Sequence, residues 1–179
     1  MSLDSYHSQP VVETERFDLR PIRNSDLGLL EHYAGDIRVA QMTTSIAHPV
    51  PPGATQAYID RVTANERDVD VWAMDSTRSG GAELIGVISL QRMDRNQSEI
   101  SFWVAPFFWN TGLASDAVRA LVEANPMQNQ TMFASVFQDN PASARLLVNC
   151  GFEYIGDAEA FSVARNAAVP TWTYVKKLS

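Results

Sequence analysis

The chain has 179 residues, and its 21 Asp and Glu outnumber its 14 Lys and Arg to give a net charge of −7. Such a charge argues against a dedicated nucleic-acid binder, which needs a basic face, and is compatible with a cationic substrate such as an amine, although solubility alone also accounts for it. The single cysteine excludes a disulfide framework and a four-cysteine zinc site, and no apolar stretch approaches the ~20 residues that span a bilayer.

The beginning of the chain predicts a lead-in followed by a strand. Residues 1–15 are a loose lead-in without an apolar secretory signal. Alternation over residues 16–22 (RFDLRPI) predicts a half-buried strand, with Phe17 and Leu19 on one face and Arg20 on the other.

Two helices and a proline-rich loop are predicted next. Residues 24–26 (NSD) offer N-caps for the first helix, whose apolar residues follow at helical spacing. Residues 35–53 are irregular, because their HPVPPG stretch cannot form a regular helix. A second helix is predicted from residue 54 to about 66, and we expect both helices to cover one side of the domain.

Three strands then follow in sequence. Strands at 70–76 and 83–92 flank a hairpin turn that contains two glycines. A third strand at 98–104 alternates strictly, so that its residues divide between two faces. One face carries Ile100, Phe102 and Val104, and the other carries Glu99, Ser101 and Trp103.

The rest of the chain predicts two helices and three strands. The second of these helices has Asn140 as N-cap, Pro141 at its first position and Gly151 as its stop. The order of elements predicts one α/β domain with a largely antiparallel sheet. The remaining predicted elements are a helix at about 112–124, a buried strand at 132–137 and strands at 152–159 and 171–178.

The turn from the third strand into the following helix carries the first chemical signal. A helix start offers free N–H groups and a positive dipole end, and Gly112, Ala114 and Ser115 are small enough for a phosphate to approach. No lysine follows the glycine and no further glycines are spaced for a dinucleotide. The segment therefore predicts either a pyrophosphate held by backbone amides or a plain turn.

A second segment, NPASARLLVNCGF, places Asn140 and Ser143 on one side of a helix start and ends in Gly151 and Phe152. Together the two segments resemble the GNAT superfamily of N-acetyltransferases. The stretches TERFDLRPIRNSDL and ELIGVISL also resemble that family, so the match spans nearly the whole chain. It implies the GNAT fold in a single domain: an α/β arrangement with a mixed, mostly antiparallel central sheet of about seven strands flanked by four helices.

The family's loop motif, [QR]-x-x-G-x-[GA], binds the pyrophosphate of coenzyme A. Trp109 at its first position is typical of the RimJ/RimL-like branch, which usually reads YWGKGYATEA where this chain reads FWNTGLASDA. Asn110 and Thr111 replace the usual glycine and lysine, which weakens the phosphate site slightly but leaves its amides. The resemblance assigns the loop to Trp109, Asn110, Thr111, Gly112, Leu113, Ala114 and Ser115.

The resemblance implies transfer of an acetyl group from acetyl-CoA to a primary amine, either a protein N-terminus or a small molecule. It implies no metal, and the three histidines, His7, His32 and His48, lack ligand spacing. The expected partners are acetyl-CoA and an amine acceptor, without nucleic acid or membrane. The expected location is cytoplasmic, and the expected state is a monomer or a homodimer.

In the family, the acetyl group lies where the third and fourth strands of the sheet splay apart. The backbone of Phe102, Trp103 and Val104 should then hold the pantetheine arm and supply the donor for the oxyanion. Glu99 faces the substrate and is the candidate general base, through water. The alternative is a solvated carboxylate at the end of a strand.

Ser143 is the candidate proton donor to the coenzyme A thiolate. Many family members use a tyrosine, but none lies at that place in this helix, and Tyr154 belongs to the next strand. Ser143 alternatively bonds only the pantetheine or a backbone carbonyl, and Asn140 either touches the pantetheine or only caps its helix.

Four alternatives remain open at this stage. The chain is an acetyltransferase for protein N-termini or for small amines and antibiotics, a catalytically silent acetyl-CoA sensor, or an interaction module. Trp72 and Trp103 either wall the substrate cleft or pack in the core, whereas Cys150 is expected to be a small core residue.

Overall fold

The computed structural model describes residues 9–178. Its eight strands form one sheet in the order β1-β2-β3-β4-β5-β6-β8-β7. The strands are β1 (Val12–Glu13), β2 (Asp18–Pro21), β3 (Val69–Asp75), β4 (Gly86–Met93), β5 (Gln97–Val104), β6 (Thr131–Phe137), β7 (Glu153–Ser162) and β8 (Ala167–Lys177). The helices are α1 (Leu27–Ala34), α2 (Ile37–Ala40), α3 (Ala54–Thr63), α4 (Leu113–Ala124) and α5 (Pro141–Asn149).

The predicted fold class is confirmed, with two short elements that the sequence pattern did not reveal. The two-residue strand β1 lies within the predicted lead-in, and the four-residue helix α2 lies within the predicted irregular region. Both are too short to show a hydrophobic period. Residues 1–8 of the lead-in, including His7, lie outside the described residues.

The sheet is antiparallel except between β5 and β6, the single parallel pair among the described strands. That pairing covers only Gln97, Ser98 and Glu99 of β5. Beyond Glu99 the two strands separate, so the rest of β5 has a free edge on that side. This separation opens the centre of the sheet, as the family resemblance implied.

Helices cover both faces of the sheet. Leu30 of α1 and Ile59 of α3 pack in one apolar cluster with Val71 and Val87 of the sheet, which confirms that the first two predicted helices share a side. Helices α4 and α5 pack in the other cluster, on the opposite face of the strands. Within residues 9–178, no helix is long and apolar enough to cross a membrane.

Arg20 overturns the prediction that strand β2 is polar on one face. Its side chain is buried, and its guanidinium donates to Asp26 at 2.8 and 2.9 Å and to Asp75 at 2.7 Å. The face opposite Phe17 and Leu19 is therefore also covered, and a charge can lie there because two carboxylates pair with it.

The prediction that residues 24–26 offer an N-cap for α1 is confirmed in position only, because Asp26 is the N-cap residue of α1 but its side chain bonds elsewhere. These residues form a short 3-10 turn, and the Asp26 side chain makes no capping bond to α1. It accepts instead from the Arg23 backbone N–H at 2.9 Å and from Arg20. The carboxylate thus fixes the strand-to-helix turn through an ion pair.

Candidate active site

A cleft of about 1500 Å³ opens where β5 and β6 separate. Its walls include the segment between α2 and α3, strand β5, the starts of α4 and α5, and part of β7. All the site residues predicted from the sequence line this one cleft. They are Glu99, Phe102, Trp103, Val104, Trp109, Asn110, Thr111, Gly112, Leu113, Ala114, Ser115, Asn140 and Ser143.

The free edge of β5 offers backbone hydrogen-bonding groups to the cleft. The N–H of Ala105 bonds the carbonyl of Ile85 at 2.9 Å, on the side of β4. Because backbone groups alternate in direction along an antiparallel strand, the N–H groups of Phe102 and Val104 point the opposite way, toward the gap left by β6. The Trp109 indole N–H donates to the Val104 carbonyl at 2.7 Å, which anchors the following loop to the end of the strand.

The start of α4 leaves several backbone amides open. Gly112 has φ +79° and Asn110 has φ +62°, so the chain turns sharply through the left-handed region before the helix begins. Gly112 is the N-cap and supplies no capping side chain. The N–H groups of Leu113, Ala114 and Ser115 therefore lie in the first helical turn without intrahelical partners. Such a turn suits an anion.

Arg16 braces this turn from outside the cleft. It donates to the Thr111 carbonyl at 2.8 Å and to Asp116 Oδ2 at 2.7 and 3.1 Å. A Cβ added at Gly112 would lie 3.3 Å from the Arg16 guanidinium. A side chain at Gly112 would thus meet Arg16. Sequence reasoning missed Arg16 because 95 residues separate it from Thr111.

The start of α5 presents Asn140 and Ser143 to the cleft. Asn140 Oδ1 accepts from the Ser143 N–H at 3.3 Å, and Asn140 Nδ2 donates to Ser143 Oγ at 3.0 Å. Asn140 is therefore the helix N-cap, as predicted. Since Ser143 Oγ accepts from Asn140, its own O–H is still able to donate to another group, and the residue lines the cleft.

Glu99 lies at the point where β5 and β6 part. Burial raises the pKa of its carboxyl above the ordinary value, because desolvation disfavours the charged form. Ser101 is further along the same face of β5 and shares a hydrogen bond of 2.7 Å with Ser89 of β4. These groups make a polar line on the cleft floor beside the free strand edge.

Comparison with known proteins identifies the family that has this architecture. The family model described as an acetyltransferase (GNAT) domain matches residues 16–153. The chain belongs to the GNAT acetyltransferase family. The matched residues include strand β5, the open turn before α4 and the start of α5, all of which line the cleft.

Relatives of this GNAT protein span most of its length. The uncharacterized N-acetyltransferase YoaA of Bacillus subtilis (strain 168) is 25% identical over 152 residues, which cover 82% of this chain and 85% of YoaA. The microcin C7 self-immunity acetyltransferase MccE, solved with acetyl-CoA and AMP, has a TM-score of 0.78 at 14% identity over 92% of this chain and 93% of its own. RimL, a ribosomal L7/L12 α-N-protein acetyltransferase solved with coenzyme A, has a TM-score of 0.77 at 15% identity over 94% and 98%.

The aromatic residues of this GNAT protein divide between core and cleft. Trp72 is fully buried in the core, which decides against a place for it on the cleft. Trp103 lines the cleft and packs edge-to-face on Tyr33 at 6.1 Å. Tyr154 lies outside the cleft, is half exposed and donates to Asp157, so it does not replace the family's tyrosine.

The other reactive side chains of the GNAT protein have plain environments. Cys150 is buried in the core as predicted, and burial raises the pKa of its thiol. Between residues 9 and 178, no three His, Cys, Asp or Glu residues are grouped so that they could hold a metal ion.

Part of the cleft lining lies outside the site residues predicted from the sequence. Residues 42–47, Tyr58 of α3 and Glu159 of β7 all line the cleft. Burial raises the pKa of Tyr58 to about 12, so its hydroxyl keeps its proton. No local motif marks these residues, because the cleft brings together segments that are distant in the chain.

Proposed function

We propose that this GNAT protein transfers an acetyl group from acetyl-CoA to a primary amine in the cleft between β5 and β6. The observation that carries the proposal is that backbone hydrogen-bond donors without partners in the fold lie in one cleft with two candidate catalytic side chains. The uncapped amides at the start of α4 and the free edge of β5 line the same cleft as Glu99 and Ser143.

The donor substrate is expected to run along these open groups. Its pyrophosphate is complementary to the amides of Leu113, Ala114 and Ser115, since a helix start favours negative charge. Its pantetheine arm has amide groups that can pair with the free edge of β5 as an added strand would. The relatives MccE and RimL, which were solved with acetyl-CoA and coenzyme A, support this choice of donor.

Three groups in the cleft match the needs of acetyl transfer. An attacking amine must be neutral, and Glu99, through water, can take its proton once the carboxyl is ionised. The N–H groups of Phe102 and Val104 can donate to the oxyanion that develops on the thioester. The Ser143 O–H can protonate the departing thiolate, whose ordinary pKa is about 8.5.

The acceptor is proposed to be either a protein α-amine or a small amine, within the RimJ/RimL-like branch of the family. The loop sequence FWNTGLASDA supports that branch. RimL is an α-N-protein acetyltransferase of ribosomal L7/L12. The spermidine N-acetyltransferase from Vibrio cholerae has a similar structure, with a TM-score of 0.73 at 15% identity, so both kinds of acceptor occur on this fold.

A thiol-release assay on a panel of amines and N-terminal peptides tests the proposal. We expect acetyl-CoA-dependent thiol release that rises with at least one amine and falls when Glu99 is replaced by Gln. Binding of acetyl-CoA without release for any amine would make the protein a silent acetyl-CoA sensor. Failure to bind acetyl-CoA would contradict both readings and favour an interaction module.

A further inference from the structure

We call the cleft lining away from the start of α4 and the free edge of β5 the acceptor side, because the donor substrate is proposed to occupy those two places. This side is lined by two segments that are far apart in the chain. Residues 42–47 line it from the segment between α2 and α3. Residues 158–160 of β7 line it too, and β7 leads into the turn that joins it to β8. Residues 42–47 belong to no helix or strand, so their position depends on what they contact.

Arg165, in the turn between β7 and β8, holds these two segments together. Its Nε and Nη2 donate to the Gln41 carbonyl at 3.0 and 2.8 Å, across 124 residues of sequence. In the same turn, the Val163 N–H donates to the Thr44 carbonyl at 3.1 Å. These three hydrogen bonds connect the β7–β8 turn to both sides of Met42 and Thr43.

The same guanidinium reaches the chain that leads into α5. Its Nη1 and Nη2 donate to the Asp139 carboxylate at 2.5 and 3.2 Å. The Cζ atom of Arg165 lies 4.9 Å from the centre of the Phe137 ring. The ion pair lowers the pKa of Asp139, chiefly through the hydrogen bond from Arg165. Asp139 immediately precedes Asn140, the cap of α5, so Arg165 spans from the acceptor wall to the side that carries Ser143.

We propose that Arg165 is a positioning residue that fixes residues 41–47 as the acceptor wall of the cleft and thereby sets the affinity for the amine. The role in amine binding rests on the proposed function, whereas the contacts of Arg165 do not depend on it. A planar guanidinium suits this role because it donates along several directions at once, to one carbonyl and to one carboxylate. A lysine has a single charged centre and can keep only part of that set.

The rest of the fold does not need this contact. Strand β8 pairs with β6 over seven residue pairs and with β7 along most of its length. The Arg165 side chain remains 23% exposed and its partner Asp139 57% exposed. Its loss should therefore free residues 41–47 while the sheet stays intact.

Hydrogen exchange tests the contact with the full-length protein, with and without saturating acetyl-CoA. In Arg165→Ala we expect exchange of the amides in 41–47 to rise on the order of tenfold, since hydrogen bonds from a charged group are lost. Arg165→Lys and Asp139→Asn should give smaller rises. The matched control is Arg78→Ala, because Arg78 also joins a turn to a distant carboxylate, Asp18, at 2.9 Å, away from the cleft.

Steady-state kinetics test the consequence, with an N-terminal alanine peptide and spermidine as probe amines. In Arg165→Ala we expect KM for the amine to rise on the order of tenfold, kcat to change less than about threefold, and acetyl-CoA affinity to hold within about twofold. Unchanged exchange in 41–47, a rise spread equally through β6 and β8, or an unchanged KM would each overturn the proposal. Failure of wild type to bind acetyl-CoA would overturn the proposed function instead and leave the exchange result decisive for the contact.

Discussion

At the scale of single residues, Glu99 is the side chain whose environment is most informative. It lies where two strands part, and its burial raises the pKa of its carboxyl. A partly buried carboxylate in a cleft is a candidate base because desolvation increases its affinity for a proton. The same burial has a cost in stability that can be measured separately from activity.

Replacing Glu99 by Gln tests its role as base. If Glu99 takes the amine proton, turnover should fall by about 10²–10⁴-fold. The loss should be greatest where the amine is largely protonated, and raising the pH should partly restore turnover. Rate–pH profiles of both proteins provide the measurement, and the acid limb of the wild type should lie above the ordinary Glu pKa of about 4.3. Near-full activity of the variant at every pH would remove the base assignment and leave the acetyltransferase proposal standing.

Glu99→Gln should also stabilise the fold at neutral pH. Because burial raises the pKa of Glu99 in the folded state, the folded state binds this proton more tightly than the unfolded state. The stability that this proton contributes is present at low pH and is lost as pH rises through the folded pKa. Thermal melts should give the variant a higher Tm at pH 7 and no advantage below about pH 4. Equal Tm values at pH 7 would mean that burial does not penalise the carboxylate.

Ser143→Ala tests the proton donor to the thiolate. Since Ser143 Oγ accepts from Asn140, its O–H is available to donate. A true acid should cost about 10²–10⁴-fold in turnover, without the pH rescue expected for Glu99 and with little change in acetyl-CoA affinity. A loss below about threefold would demote Ser143 to positioning.

At the scale of elements, the start of α4 depends on support from β2. Arg16 just before that strand braces the Thr111 carbonyl and pairs with Asp116 in the first turn of the helix. The pair is exposed, so it contributes little to overall stability. Its importance lies in fixing the loop whose amides face the cleft.

Arg16→Ala should therefore weaken acetyl-CoA binding more than it weakens the fold. We expect several-fold weaker binding by titration calorimetry with a Tm within a few degrees of wild type, since an exposed pair contributes about 0–1 kcal/mol.

Gly112→Val should weaken acetyl-CoA binding further than Arg16→Ala, because a β-branched residue is strained at φ +79° and meets Arg16. Binding unaffected by either change would indicate that the phosphates lie elsewhere.

Elements with strong local patterns were predictable from the sequence, and the contacts between them were not. Alternation correctly divided β5 into two faces, of which the face with Ile100, Phe102 and Val104 packs with the core under α4 and α5. Asn140 was identified as a cap from its place before Pro141. Arg16 and Arg165 gave no such signal, because their partners lie 95 and 124 residues away. Their roles follow from the topology, which brings those segments together only after folding.

At the scale of the whole molecule, the buried cluster of Arg20, Asp26 and Asp75 ties β2, β3 and the start of α1 together. Asp26→Ala leaves the buried Arg20 with a single carboxylate partner, Asp75, and should cost about 3–5 kcal/mol. The matched control is Asp18→Ala, which removes an exposed pair with Arg78 and should cost at most about 1 kcal/mol. Denaturant unfolding measures both, and equal losses would mean that burial does not decide the strength of these pairs.

The separation of β5 from β6 is the feature of the whole molecule on which the proposed function depends. It places the open amides of α4, the free edge of β5, Glu99 and Ser143 around one cleft. A sheet fully paired at this point would have no such opening. The proposed function therefore depends on whether acetyl-CoA binds in this cleft.

A thermal melt with and without acetyl-CoA tests this claim most directly. At ~100 times its dissociation constant, acetyl-CoA should add about 2.7 kcal/mol to the free energy of unfolding, which raises Tm by roughly 5–10 °C for a chain of this size. The shift should be smaller in Gly112→Val, and a nicotinamide dinucleotide should give no comparable shift. A Tm that does not move with saturating acetyl-CoA would contradict the account.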